Sequence, residues 1–258
     1  MKDVLGQAIA DYYQTLIDGT TFTGRLWVHN DNKHGRKARM PVPVYFRTSE
    51  EMPELEWIAL QQCRGRILDI GAGAGSHSLA LQQLGQDVTA LEISPLAAGV
   101  INARGVRQII CEDFFSLAVE TRNGSASDTP ARSYDTLLLM MNGIGLSGTL
   151  DGLRVFLRKA RLLLRPGGQL VFDSTDVAYL YDGNPPTTLP YYGEIRYQYE
   201  YRRERSEPFN WLFVDSKTLA GIASEEGWTT EIVFEDKFGQ YLAKCRHSSP
   251  KMGAGVIV

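Results

Sequence analysis

The residues with the clearest chemical potential lie in Ile67-Leu68-Asp69-Ile70-Gly71-Ala72-Gly73-Ala74-Gly75-Ser76-His77. A short apolar run delivers Asp69 near its end, and three alternate glycines let the backbone turn and approach a ligand closely. A helix predicted to start at Ser76 aims its free N–H groups back at this loop, as nucleotide-binding loops require. The dinucleotide fingerprint G-x-G-x-x-G asks for a third glycine or alanine where this chain has Ser76, so the glycines run G-x-G-x-G instead. A pyrophosphate needs bare helix N–H groups, whereas a ligand ammonium near the loop needs a carboxylate such as Asp69.

Polar residues recur at the ends of the following apolar runs. Glu92, with Ile93 beside it, ends the next run 21 residues after Gly71 (92−71). A carboxylate there can accept both hydroxyls of a ribose, at about 1.5–3 kcal/mol per charged hydrogen bond. The third run ends in Cys111-Glu112-Asp113-Phe114, which offers Asp113 to an adenine amino group and Phe114 as a packing face. The fourth ends in Met140-Met141-Asn142-Gly143 and carries Asn142 to the edge where open α/β sheets place their ligands.

The elements that must position these residues are legible in the apolar pattern. Runs at 66–70, 87–91, 108–111, 134–141 and 168–173 have no helical period and read as strands buried on both faces. Segments 76–84 and 153–164 carry apolar residues at three-to-four spacing and stop at glycine or Pro-Gly-Gly, as helices do. Strand and helix alternating in this way predict a parallel sheet with helices on both sides.

On these motifs the chain resembles the class I S-adenosylmethionine-dependent methyltransferases over about residues 54–173, and more weakly to 246. The matching pieces are LDIGAGAG (68–75), ALEIS (90–94), CEDFF (111–115), YDTLLLMMN (134–142) and LLRPGGQLVFDS (163–174). The resemblance implies an α/β fold, a Rossmann-like doubly wound seven-stranded sheet whose last strand is antiparallel. It also implies S-adenosylmethionine as cofactor and S-adenosylhomocysteine as product. Gly71, Gly73 and Gly75 would line the methionine part, Glu92 the ribose, and Asp113 with Phe114 the adenine, with Ala72 also among the cofactor-binding residues. The fourth strand lacks the Asn/Asp-Pro-Pro-Tyr/Phe signature of many enzymes that methylate planar amino groups, which turns the expectation toward a small-molecule acceptor. In-line displacement from a sulfonium asks the protein mainly to align the partners and exclude water. His77 is the nearest candidate base by sequence, and Arg47 and Tyr192 are candidate contacts to substrate. Two alternatives stand beside it: an NAD-dependent oxidoreductase using the same topology, and a non-catalytic cofactor-binding or RNA-associated module using the stripe Arg154, Arg158, Arg161 and Arg165.

The flanking sequence is expected to form an N-terminal helical cap over residues 1–63, with helices at about 3–17 and 49–63 around an irregular polar stretch. Residues 64–246 would form the cofactor-binding domain, with an inserted β-hairpin at about 191–215, a surface loop at 120–132, and a flexible tail at 247–258. Residues 25–39 hold five Lys or Arg against one Asp, a local +4 in the cap. Overall, 27 basic against 30 acidic residues leave a net charge of −3, which argues against nucleic acid as the main partner. Cys63, Cys111 and Cys245 are too widely spaced to suggest a disulfide framework or a zinc site; no metal is expected, and Cys63 and Cys111 read as small core residues. The start Met1-Lys2-Asp3 does not read as an export signal, and the most apolar run, 136–146, is about half of the ~20 residues a membrane helix needs. A cytoplasmic protein without a membrane partner is the expectation; spacing carries no signal for oligomeric state.

Overall fold

The computed structural model describes residues 2–31, 37–118 and 134–247. In chain order the elements are α1 (Val4–Asp18), β1 (Leu26–Asn30), β2 (Ala38–Met40), α2 (Glu54–Gln62), β3 (Arg66–Ile70), α3 (Ser76–Gln83), β4 (Asp87–Glu92), α4 (Pro95–Ala103) and β5 (Gln108–Cys111). They continue with β6 (Tyr134–Leu139), α5 (Leu150–Leu163), β7 (Leu164–Thr175), β8 (Glu194–Tyr201), β9 (Glu204–Arg205), β10 (Phe209–Leu212), α6 (Ser216–Glu225), β11 (Trp228–Glu235) and β12 (Gln240–His247).

Seven strands form one sheet in the order β11-β12-β7-β6-β3-β4-β5. Strands β3 to β7 are mutually parallel where they pair, and β12 runs antiparallel to β7 and β11, as the resemblance implied. The strand order reverses between β3 and β6, which opens a crevice at their carboxyl ends. Side-chain alternation divides the sheet's two faces. Ile67 and Leu138 pack with Leu55, Ala59 and Leu60 of α2 and Leu81 of α3. Leu68, Ile70, Leu137 and Leu139 pack the other way, against Phe156 and Leu157 of α5 and Leu219 of α6. Each such side chain, fully buried, contributes about 1.5–3 kcal/mol. The same alternation sends Asp69 and Asp173 to the face covered by α2 and α3, because they share parity with Ile67 and Val171.

Local signals explain the boundaries that moved. The helix expected from residue 49 begins at Glu54: Pro53 holds Met52 in an extended conformation (φ −70°, ψ 135°) and separates α2 from a single 3-10 turn. That turn has its own capping box, Thr48 with Glu51. Helix α4 was not anticipated, although Ser94 caps it by accepting from Ala97 N (2.9 Å) and Pro95 occupies its first turn. Cys111 is exposed, not a core residue, because β5 is the edge strand.

The cap is not purely helical. Strands β1 and β2, in the stretch expected to be irregular, join the inserted hairpin in a second sheet of order β10-β8-β1-β2, with β9 against β8. Val28 pairs with Tyr199 and Trp27 with Glu200, so cap and hairpin are one structure. Leu26 and Val28 are buried on one face of β1, and a strand with one apolar face needs a partner, here one about 170 positions on. The hairpin itself forms within the expected span. His247 ends β12 and does not begin the tail. The loop at 120–132 and residues 248–258 lie outside the described residues. Among the described residues, no helix is long and apolar enough to cross a membrane.

The two ends of the insertion are held to each other by close backbone approach. Phe213 N donates to Gly193 O (2.8 Å), and a Cβ on Gly193 would fall 1.7 Å from Phe213 O. Gly193→Ala should therefore lower the unfolding free energy by at least about 1–3 kcal/mol in urea titrations, the range for overpacking a close-packed contact.

Candidate active site

The loop after β3 is stitched to the end of β4. Gly71 N and Ala72 N both donate to Leu91 O (2.8 and 3.1 Å), so the turn lies beside Glu92. Gly71, Gly73 and Gly75 all have left-handed backbones (φ 72°, 60° and 82°), a conformation that disfavours any side chain. A Cβ on Gly71 would meet nothing within 4 Å, whereas one on Gly73 would lie 3.1 Å from the Tyr45 ring. Glu92 is buried; its Oε2 accepts from Gly73 N (2.8 Å) and its Oε1 from Ser94 N (2.9 Å). Burial pushes its carboxyl upward, and the Ser94 and Gly73 N–H groups offset only part of that shift. A carboxylate offers about four lone-pair positions, so Glu92 retains capacity for further donors.

Beneath the loop lies a buried charge cluster. His77, in the first turn of α3, meets Glu56 of α2 (Nε2 to Oε2, 2.9 Å), and Arg47 pairs with the other oxygen of Glu56. Burial depresses the His77 imidazole, but the Glu56 hydrogen bond and the charges of Asp69, Glu56 and Asp173 outweigh it, so the net shift is upward. Asp69 is raised by burial against the opposing pull of His77 and of Ser78 Oγ, which donates to it at 2.6 Å. Asp173 is pushed up to about 6 by burial, although Asn142 N (2.8 Å) and Gln240 Nε2 (3.1 Å) donate to it. His77 is therefore held within the protein and not presented to solvent. Arg47, expected to meet a ligand carboxylate, directs its guanidinium to Glu56.

Residues that the motif reading missed close over this region. Tyr45 and Tyr199 come from the cap and from β8, and both phenols are raised chiefly by burial, with Glu92 adding to the shift. Arg104, at the end of α4, donates to Ala74 O (2.6 Å) in the loop and to Phe46 O (3.4 Å) in the cap. Ser76 Oγ donates to Tyr45 O (2.8 Å), and Ser94 Oγ donates to Asp3 (2.5 Å), the residue that caps α1. No local motif marks Tyr45, Tyr199 or Arg104, since each acquires its place only from packing. Tyr12 and Tyr13, on α1, pack on Phe46 with ring centroids 4.8 and 6.3 Å away.

The remaining expected residues reach the same sheet edge with different exposures. Ile93 is 66% exposed beside Glu92. Asp113 caps its own turn by accepting from Phe115 N (3.1 Å). Phe114 turns into the core against Phe156 (4.7 Å between centroids), and Phe115 is the more exposed ring. Asn142 adopts a left-handed conformation (φ 56°), and its Oδ1 accepts from Thr175 Oγ1 (2.8 Å). Tyr192 donates to Asp176 Oδ1 (2.8 Å), one wall of a cleft that also reaches Asn142. The arginine stripe is largely committed to acids, and its last member lies beyond α5: Arg154 pairs with Glu225 and Arg158 with Glu226 through two nitrogens (2.7 and 2.6 Å), while Arg165, in β7, pairs with Asp135.

Comparison with known proteins places this arrangement. The methyltransferase domain family matches residues 68–172, from the glycine loop to β7. A SAM-dependent methyltransferase from Bacteroides fragilis, solved in complex with S-adenosyl-L-homocysteine, is 37% identical over 96% of each chain, with a TM-score of 0.81. This chain belongs to the S-adenosylmethionine-dependent methyltransferases. The methyltransferase is also 29% identical over 105 residues to the demethylmenaquinone methyltransferase of Tropheryma whipplei. That match takes in 41% of this chain and spans 39% of the relative's length. The CcbJ methyltransferase from Streptomyces caelestis shares the fold at 16% identity, over 78% of this chain and 94% of that one, with a TM-score of 0.58. Family membership decides against the dinucleotide alternative, in line with Ser76 at the third glycine position.

The raised imidazole gives the methyltransferase a testable pH signature. A folded-state value above the ordinary 6.5 makes the His77 contribution complete below 6.5 and lost as pH climbs through the folded value. His77→Gln should flatten the stability–pH curve above 6.5 and lower stability at pH 6 by about 1.5–3 kcal/mol, the worth of one charged hydrogen bond. Chemical denaturation between pH 5 and 9 measures both effects, and an unchanged slope would remove His77 from the cluster's charge balance.

Proposed function

We propose that this methyltransferase carries a methyl group from S-adenosylmethionine to a small-molecule acceptor in the crevice at the carboxyl ends of β3, β4, β6 and β7. The observation that carries the reading is the pairing of an open space beside Gly71 with the half-satisfied, buried carboxylate of Glu92. The residues fit the donor molecule: two oxygens of Glu92, each holding one backbone N–H, keep lone pairs for two ribose hydroxyls. Gly71, Ala72, Gly73 and Gly75 would line the methionine part, with Asp69 below them. Asp113 and Ile93 would flank the adenine, with Phe114 supporting that strand end from the core. When bound, S-adenosylmethionine supplies an electrophilic methyl group on a sulfonium whose sulfur leaves as a neutral thioether.

The chain's own residues then have two tasks, alignment and exclusion of water. Tyr45 and Tyr199 cover the Glu92 side of the crevice. His77, Glu56 and Arg47 act as positioning residues, since their contacts join α3, α2 and the cap. Tyr192 and Asn142 stand on the side where an acceptor would enter. A small acceptor suits a crevice roofed by the chain's own cap, and one relative is by name a methyltransferase of demethylmenaquinone, itself a small molecule.

Glu92→Ala tests the reading directly. Loss of charged hydrogen bonds worth ~1.5–3 kcal/mol should weaken S-adenosylhomocysteine binding by roughly one to two decades in calorimetry. Affinity equal to that of the unmodified protein would overturn the ribose assignment.

A further inference from the structure

We infer that the buried acids beneath the glycine loop tell donor from product by charge. The cluster of Glu56, Asp69 and Asp173 holds an extra proton when the site is empty or carries S-adenosylhomocysteine, and gives it up to solvent when cationic S-adenosylmethionine binds. This rests on the proposed donor site and assigns Asp69 and Asp173 a part in its selectivity.

The charges in the cluster do not cancel. Glu56, Asp69, His77 and Asp173 are each between 1% and 6% exposed, so water cannot make good a missing counter-charge. Arg47 answers for Glu56. His77 is then left with both Asp69 and Asp173, and even as an imidazolium it balances only one of them. The remaining donors to these acids are dipoles: Ser78 Oγ on Asp69 (2.6 Å), with Asn142 N (2.8 Å) and Gln240 Nε2 (3.1 Å) on Asp173.

Among the described residues, no neighbouring element supplies the missing cation. Lys244 of β12 pairs with Val171 and so shares the face of Asp173, yet its Nζ is taken by Glu231 (2.8 Å) and Gln62 Oε1 (3.0 Å). Arg104 reaches the loop from α4 but ends on Ala74 O, Ser76 Oγ and Phe46 O. Cys63, at the end of α2, stays a neutral thiol, pushed up by burial and by the charge of Asp69. Glu92, held to the loop through Gly73 N, adds a further acid. Burial accordingly moves Asp69 upward and Asp173 up to about 6.

A proton is one counter-charge the cluster can take, and the donor brings another. The ammonium and carboxylate of S-adenosylmethionine cancel, which leaves one positive charge on sulfur; S-adenosylhomocysteine has none. The cluster is placed to feel that difference: Asp69 precedes Gly71 by two residues, His77 follows Gly75 by two, and Asp173 holds Asn142 N at the sheet edge. A charge arriving beside a dry region is little screened by salt, so it lowers the proton affinity of the acids. One proton leaves for solvent as the donor binds. One returns once methyl transfer has made the sulfur a neutral thioether. Low pH therefore favours product over donor, and the preference moves toward donor as pH rises through the range of Asp173.

Calorimetry on the full chain at pH 6, in MES and in Bis-Tris buffers of different ionisation enthalpy, counts the protons exchanged. S-adenosylmethionine should release about 0.3 proton or more beyond S-adenosylhomocysteine. Its affinity relative to S-adenosylhomocysteine should fall at least threefold from pH 7 to pH 5, a window in which both ligands keep a charged amino group. Asp173→Asn should bind S-adenosylhomocysteine within twofold of the unmodified protein and lose at least half of the proton difference. Should that variant not fold, the proton counts and pH series of the unmodified protein decide alone. Equal counts for the two ligands, an affinity ratio that does not move with pH, or a folded Asp173→Asn variant that keeps the full difference would overturn the inference. Failure of S-adenosylhomocysteine to bind the unmodified protein would instead overturn the donor-site reading, and this one with it.

Discussion

Glu56, Asp69 and Asp173 are each nearly excluded from water, and all three act on the single imidazole of His77. Three like charges in a dry region repel one another, and each costs several kcal/mol to desolvate unless a partner compensates it. His77 and Arg47 supply that compensation, with Ser78, Asn142 and Gln240 donating to the oxygens that remain. The arrangement constrains what surrounds it. Helix α3 has to begin directly after Gly75 so that its first turn carries His77 under the loop, and α2 has to lie close enough for Glu56 to reach. The cap segment has to return over both for Arg47 to close the cluster. The glycine loop is held between this cluster and the end of β4.

The cap follows from a second requirement, the covering of apolar and aromatic surface. Helix α1 packs its buried face on α4, and β1 pairs with β8, so the N-terminal segment and the insertion at 191–215 bury one another. Its anchors are polar and fall on the glycine loop and on α3 and α4 beside it: Arg104 spans Ala74 and Phe46, Ser76 holds Tyr45, and Ser94 holds Asp3. Cap position and loop geometry are therefore coupled through a few hydrogen bonds, and the ring of Tyr45 occupies the space that a side chain on Gly73 would need.

Charge is sorted by place more than by amount. A net charge of −3 from 30 acids and 27 bases says little alone. In the fold, acids collect at the strand ends and in the cleft, while Arg154 and Arg158 on α5 neutralise Glu225 and Glu226 at the end of α6. The arginine stripe that resembles a nucleic-acid track in sequence thus joins two helices. Part of the basic segment at 25–39 behaves likewise, with His29 and Lys37 both meeting Glu200 of β8.

Much of the sheet was legible from the chain because its signals are local. A strand buried on both faces needs a short apolar run, a left-handed turn needs glycine, and a helix stop needs glycine or proline; each is written within a few residues. For that reason β3, α3, β5 and the ends carrying Asp69, Glu92, Asp113 and Asn142 fall where the sequence puts them. Where local chemistry was present but weak, as in the Ser94-Pro95 start of α4 or the Pro53 break before α2, the element was misjudged or overlooked. What only the tertiary structure decided are the relations between distant segments. These include the pairing of β1 with β8, the meeting of Arg47 and Glu56 with His77, and the turn of Phe114 into the core. The physical reason is that composition and spacing report the conformational preference of a few neighbouring residues. Which buried charge meets which partner depends on sheet order and on the parity of side chains across it, and no local stretch contains either.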